Sequence, residues 1–571
     1  MDHRLRSRLV AGVALAVAAA VTLAMGWRWL HRPTPARIDR AVRQWAAART
    51  LALSDSVYRL TLGRLRFQTA GIGIDSLALE TDSARNARRP RPLPNISLVL
   101  RGGHVEGVDV QILLSHRYKT VVVAAIRFDS IEADVKLPPP AKDSTRAPTA
   151  ARAPAAPASG SSGVRVLELG PGAVPTGAPN IRVGRIELPR IGIAVHPANS
   201  AQGQVQRLSG VALELDRVFV DTRNSSRTPI YAGDIRLRAE HYVGVWSWLA
   251  RATAAKVEAS LRDSLFRVDG LEVRPTVSDA ELQRRSRWRR TRIAVQAARV
   301  EAHGVDYAKL LGKAGVAIRT IEVRKPNVDL LLDKNLSPNP KASPAPLPHR
   351  VMPQLRFRLT VDSIRARGGT ISYGELNPGK PRPGVVTFER LEGSIRNLSN
   401  DPARMSTDHP MVLTASTKLM GSGHLATVLE IPLLADSFRV RYRGTVGPMP
   451  LTDFNRFAAI NTGARLRSGE VLGLSFDARV IDDYATGRVI PQYRDLKLGL
   501  TEQGGGIVGA VKRHVGSFFA NNFKLRRDNP EDGDPEKLAV GRISRRRLPP
   551  DDLFPFLWFS LRDAIKQVMA R

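Results

Sequence analysis

Side chains able to do chemistry are present in this chain, but they are not grouped. There are 11 His and no Cys. Missing thiols exclude a disulfide framework, a cysteine nucleophile and Cys-ligated zinc or iron–sulfur centres. No two His stand at metal-ligand spacing on a recognisable element. No Gly-x-Ser-x-Gly elbow and no Walker loop occurs. Gly421-Ser422-Gly423-His424-Leu425-Ala426 formally matches a dinucleotide fingerprint, but strand-like alternation surrounds it and no helix follows. Gly504-Gly505-Gly506 reads as a flexible turn or an anion nest. The dense basic groups are Arg284-Arg285, Arg287, Arg289-Arg290 and Arg292 around Trp288, and the triplet Arg545-Arg546-Arg547. Either could bind phosphates or be solvated turns. The expectation is therefore no catalytic centre, no metal and no cofactor, with the chain acting through its architecture rather than as an enzyme.

The elements that would carry such a function are bounded by composition. The chain has 571 residues, 43% of them hydrophobic, so it has material for several domains and is not globally disordered. The net charge is +34, from 87 Lys+Arg against 53 Asp+Glu, and 71 of the 87 are Arg. This charge suits a polyanionic neighbour, nucleic acid or an anionic envelope surface; Arg-rich codon usage is the plain alternative. Leu9 to Met25 is apolar apart from Thr22 and would make a helix about 25 Å long, near the membrane core thickness. Leu9, Val10, Val13, Leu15, Val17, Val21, Leu23, Met25 and Trp27 are its anchor residues, with Arg4, Arg6 and Arg8 ahead of them. An uncleaved anchor and a cleaved signal peptide are the two readings. The flanking Arg count favours a cytoplasmic body, although long domains are translocated largely regardless of charge.

A helix is expected over Arg37–Arg49, on Ile38, Val42 and Trp45. After it, period-2 alternation dominates: Leu355, Phe357, Leu359 and Val361 alternate with polar residues, as do Phe438, Val440 and Tyr442 with Arg439, Arg441 and Arg443. This is the pattern of an antiparallel sheet with one wet face. Residues 138–163 and 337–348 are Pro-rich loops. They occupy equivalent places in an internal repeat. Gly107-Val108-Asp109 to Leu114 recurs as Gly304-Val305-Asp306 to Leu311, and Ala125-Ile126-Arg127 recurs as Ala317-Ile318-Arg319. Gly506–Leu525 is a candidate helix. Residues 551–571 are an amphipathic helix with Phe554, Leu557, Trp558, Leu561, Ile565 and Val568 as its stripe, either capping a sheet or lying on a membrane.

An anchor, repeated β units with Pro-rich insertions and a β-rich C-terminal region resembles the bacterial AsmA-like family and its TamB-like relatives. The carrying segments are the anchor with its helix, Gly304–Leu311 leading into Ile321–Val328, Gly487-Arg488-Val489 with Tyr493–Leu498, and Phe554–Met569. The resemblance implies a cytoplasmic tip and inner-membrane anchor (1–32), a periplasmic body and an elongated, twisted antiparallel β-groove. The body divides into a first repeat unit (33–245), a second (246–435) and a C-terminal region (436–571). Implied partners are phospholipid acyl chains, the inner membrane and outer-membrane or other envelope proteins. The implied role is carrying phospholipid or supporting envelope assembly. A scaffold without lipid is the alternative, and a basic nucleic-acid-binding protein a remoter one; no nucleic acid is expected. On this reading Leu355, Phe357, Leu359, Val361, Phe438, Val440 and Tyr442 line an open lipid groove; a closed sandwich would bury them instead.

Overall fold

The computed structural model describes residues 35–54, 56–68, 71–89, 92–107, 120–138, 164–169, 180–196, 205–220, 228–247, 250–311, 315–339, 347–461, 464–500, 525–548 and 551–570. The anchor residues from Leu9 to Trp27, most of the stretch 138–163 and nearly all of the candidate helix after Gly506 lie outside these. Among the described residues, no helix is long and apolar enough to cross a membrane. The protein is mainly β, built on large twisted sheet. It divides into two compact units: Met1–Ser247 with Arg251–Val268 and Asp306–Gly312, and Trp248–Ala250 with Asp269–Val305 and Lys313–Arg571.

The chain opens on helix α1 (Pro35–Leu53). Then come β1 (Tyr58–Leu62), β2 (Leu65–Gln68), β3 (Gly71–Thr81), α2 (Ser83–Ala87), β4 (Asn95–Glu106), β5 (Thr120–Lys136), β6 (Val164–Leu169), β7 (Asn180–His196), β8 (Gln206–Val220), β9 (Thr228–Ala232) and β10 (Asp234–Ser247). Period-2 patterning sets the core of this first unit. Leu62, Leu77, Leu100, Ile131, Ile191 and Val211 stand opposite one another across six strands, and all are buried. Val42 and Ala46 of α1 pack into the same core. Asp39 ties the helix to the sheet: its carboxylate accepts the Leu65 N–H at 2.9 Å and the Arg43 guanidinium.

Next along the chain are β11 (Ala250–Ala254), β12 (Lys256–Ser260), β13 (Leu265–Arg274), α3 (Asp279–Arg285), β14 (Thr291–His303), α4 (Tyr307–Leu311), β15 (Val316–Arg324), β16 (Asn327–Asp333), α5 (Pro348–Val351), β17 (Leu359–Leu376), β18 (Gly384–Ser399), β19 (Met411–Leu419) and β20 (Gly423–Ile431). The last elements are β21 (Val440–Val446), β22 (Met449–Pro450), α6 (Asn455–Asn461), β23 (Ala464–Ile481), β24 (Tyr484–Leu500), β25 (Gly541–Arg546) and α7 (Leu553–Met569). From β17 to β25 the second unit pairs antiparallel throughout.

The fully antiparallel sheet expected from the alternation is corrected at two places. β5 and β7 run parallel, and so do β15 and β16 beside β17. Parallel neighbours need a long crossover connection, and in each unit the chain between the parallel strands contains a Pro-rich stretch. The recurring sequence thus marks a recurring strand succession, with one parallel step per copy. At one level of the second unit, Lys325 (φ 49), Gly368 (φ 66) and Arg390 (φ 53) all take the left-handed conformation and interrupt the regular pleat.

Candidate functional site

Two apolar surfaces of the second unit are candidates, and the structure treats them differently. The first includes the sequence-predicted residues Phe438, Val440 and Tyr442. They are buried, at 3%, 2% and 2% exposure, in a core with Leu429, Ile431, Val480, Ala485, Val489 and Ile543. Helix α7 closes this core through Phe556, Leu557 and Ala564. The Tyr442 hydroxyl meets Ser560 Oγ at 2.6 Å, and Ser560 donates to the Leu557 carbonyl at 2.7 Å. Burial pushes the Tyr442 phenol up to about 12, against the lowering effect of the Ser560 bond. These residues are therefore core, not open groove. The alternation was right and the environment was not, because a helix more than a hundred residues later covers the face. Arg439, Arg441 and Arg443 are exposed, as the alternation requires.

The other predicted run also changes. β17 begins at Leu359, so Leu355 to Arg358 are not strand. Pro348 starts α5, and a single 3₁₀ turn follows over Met352–Gln354. The Asn400 side chain then holds the chain, donating to the Phe357 carbonyl and accepting the Leu359 N–H. Phe357 is 46% exposed, Leu355 and Leu359 pack half-buried against the core, and Val361 is buried. The Pro-rich stretch ends inside the protein as well: Leu347 is fully buried, and His349 stacks on Phe438 at 5.6 Å. Burial lowers the His349 pKa and so favours the neutral ring.

Helix α7 runs Leu553–Met569, as expected, but its buried line is Phe556, Leu557, Ser560, Ala564 and Val568. Leu561 and Ile565 are half-buried against the core, while Phe554 (63%) and Trp558 (50%) face outward. The predicted stripe was thus displaced by part of a turn. Both basic groups serve the fold. Arg547, buried, donates to Asp483 Oδ1 at 2.7 Å and to the carbonyls of Leu548 and Asp551, with its guanidinium over Phe438. Arg545 binds Asp563 of α7. Arg284 and Arg285 bind Glu281, Arg289 donates to the carbonyls of Leu336 and Lys334, and Arg292 binds Asp279 and Asp329. The dinucleotide-like run is the β19–β20 hairpin turn, with Met420 and Gly421 at positive φ. Among the described residues, no group of three or more His, Cys, Asp and Glu could hold a metal.

The second surface is covered in part, with α6 packing on β18, Asn461 beside Gly384 and Met449 beside Gly423, and the sequence reading did not single it out. Ile293, Leu330, Tyr373 and Val386 stand opposite one another on β14, β16, β17 and β18. Two residues along, Val295, Val328, Ile371, Phe388 and Leu419 make a second row that reaches β19. Ile293 is 53% exposed and the others are half-buried. None of them joins a buried cluster among the described residues, unlike the corresponding kind of row in the first unit. Tyr373 donates to Glu375 at 2.9 Å, and burial together with that carboxylate raises its pKa. The signal was in the sequence as short alternations: Ile293-Ala294-Val295, Val328-Asp329-Leu330, Ile371-Ser372-Tyr373 and Val386-Thr387-Phe388.

A shallow trough of about 770 Å³ crosses β17–β21 and β23. Three consecutive residues of each strand line it, from Arg365-Ala366-Arg367 to Ser475-Phe476-Asp477. The chain matches no protein-family model and none of the curated proteins.

Proposed function

We propose that this chain is an envelope protein of the AsmA-like kind, anchored in the inner membrane through Leu9 to Trp27 with its body in the periplasm. In this reading the sheet of the second unit is an open groove for phospholipid acyl chains. One observation carries it: the two apolar rows from Ile293 to Leu419, which are only half-buried or exposed. An apolar sheet face of this kind is unfavourable in water unless something covers it. Five strands at ~4.8 Å spacing give the longer row a reach of about 19 Å, a length suited to an extended hydrocarbon chain. Each buried methylene would contribute ~0.8 kcal/mol, so half of a typical acyl chain lying on the rows gives binding of several kcal/mol. The wet face of the same strands, with its Arg residues, keeps such a sheet soluble.

The test is native mass spectrometry of the purified full chain. Phospholipid should accompany the wild type and be lost from a Leu330→Asp/Ile371→Asp variant that still folds. Lipid-free wild type, or equal lipid in both proteins, would overturn the proposal. A reporter fused after Arg571 that is active only in the cytoplasm would overturn the periplasmic placement.

A further inference from the structure

We propose that the trough across β17–β21 and β23 binds an anionic, hydroxyl-rich ligand: a phosphorylated oligosaccharide. The register puts its side chains on one face. Arg365 stands opposite Ser394, then Thr414, Val428, Arg443 and Asp477 in turn. Residues directly opposite in a sheet share a face, as do residues two apart, so Arg367 and Ser416 belong to it too.

The two ends differ in charge. At one, Arg443 is paired with Glu430 at 3.4 Å and Asp477 with Arg441 at 3.5 Å. At the other, the guanidiniums of Arg365 and Arg367 make no ion pair or hydrogen bond among the described residues. Glu322 lies opposite Arg365 in register without pairing with it. Glu392, a second acidic residue at this end, accepts the Gly368 N–H at 2.9 Å. Two free guanidinium forks, two residues apart on one strand, suit a phosphate, which accepts paired N–H donors.

Beyond them lies a line of hydroxyls. Ser394 Oγ and Thr414 Oγ1 share a hydrogen bond of 2.7 Å, and Ser416 Oγ meets His424 Nε2 at 3.0 Å. Each hydroxyl keeps capacity for further bonds. Six strands at ~4.8 Å extend the trough about 24 Å, far longer than a lone phosphate needs. Its volume of about 770 Å³ falls in the range of ligand sites. An extended polyol with a phosphate at one end matches this arrangement. The proposal stands apart from lipid binding, which uses other residues.

The experiment is titration calorimetry on the full chain with three probes: inorganic phosphate, maltotetraose, and maltotetraose carrying a terminal phosphate. The phosphorylated sugar should bind at least tenfold more tightly than either other probe. Arg365→Gln/Arg367→Gln should weaken it at least tenfold and Thr414→Val a few-fold. Arg439→Gln, an exposed charge outside the trough, should leave it unchanged. Thermal melting should place all variants with the wild type, since both arginines are exposed. No binding, equal binding by wild type and the double variant, or phosphate alone binding as tightly as the phosphorylated sugar would each overturn the proposal.

Discussion

Val440→Asp and Leu330→Asp place the same charge on apolar positions of two strands in the second unit, and the structure separates their consequences. Val440 is 2% exposed beneath α7. Replacing it removes ~1.5–3 kcal/mol of side-chain burial and leaves a carboxyl without a partner, a further ~2–7 kcal/mol. The sum, about 3.5–10 kcal/mol, is comparable to the whole stability of an ordinary domain. Leu330 is half-buried, so its replacement lies nearer water and should cost less, ~0.5–3 kcal/mol. The assay is thermal unfolding by circular dichroism, with extraction and quantification of bound lipid. Val440→Asp should lose the unfolding transition of the second unit or lower it sharply. Leu330→Asp should melt well above Val440→Asp and carry less lipid than the wild type. A Val440→Asp protein that melts normally, or a Leu330→Asp protein that unfolds as Val440→Asp does, would refute the division into a core and a half-buried face.

Other substitutions test the surrounding framework. Arg547→Ala leaves Asp483 and two carbonyls without their donor, and should cost ~3–5 kcal/mol in urea unfolding. Leu557→Ala should cost ~2–5 kcal/mol, whereas Phe554→Ser and Trp558→Ser should each stay within ~0.5 kcal/mol by the same measurement. Gly368→Ala should lose ~1–2 kcal/mol to left-handed strain, and Arg390→Gly should gain up to that amount. Alkaline stability follows from Tyr442. The unfolded chain releases this proton near pH 10 and the folded one near 12, so the folded state binds more protons in that window and stability falls as pH rises through it. Two units correspond to ~2.7 kcal/mol; denaturant titrations from pH 9 to 12 should show a shallower decline for Tyr442→Phe.

Much of this architecture was legible from periodicity alone. The mainly β class, the position of α1, the extent of α7 and the alternation through Phe438, Val440 and Tyr442 all follow from where apolar residues recur. The repeat was legible too, although its parallel step was not: Ala125–Glu132 and Ala317–Glu322 are local patterns, whereas which strand lies beside them depends on a partner beyond the Pro-rich stretch. The trough was hidden for the same reason. Arg365, Ser394, Thr414 and Arg443 come from four separate strands, and only strand register brings them together. Leu347 and Met352 were concealed by the composition of their surroundings, since Pro and Ser around a buried Leu read as loop.

The sequence by itself determined which side of each strand is apolar, because a two-residue period is written in consecutive residues and needs no partner. It also determined that charge would sit on the opposite side, where Arg439, Arg441 and Arg443 are. It did not determine which apolar faces would be covered. Val440 and Leu330 carry the same local pattern. One shares a buried core with Phe556 and Leu557 and the other belongs to no described core cluster, because burial depends on what a distant segment does. α7 returns from more than a hundred residues away to close one stretch of sheet, whereas among the described residues the rows from Ile293 to Leu419 meet α6 and Met449 at their β18 and β19 end. Burial is a property of pairs of surfaces, so only the tertiary structure could tell core from candidate site.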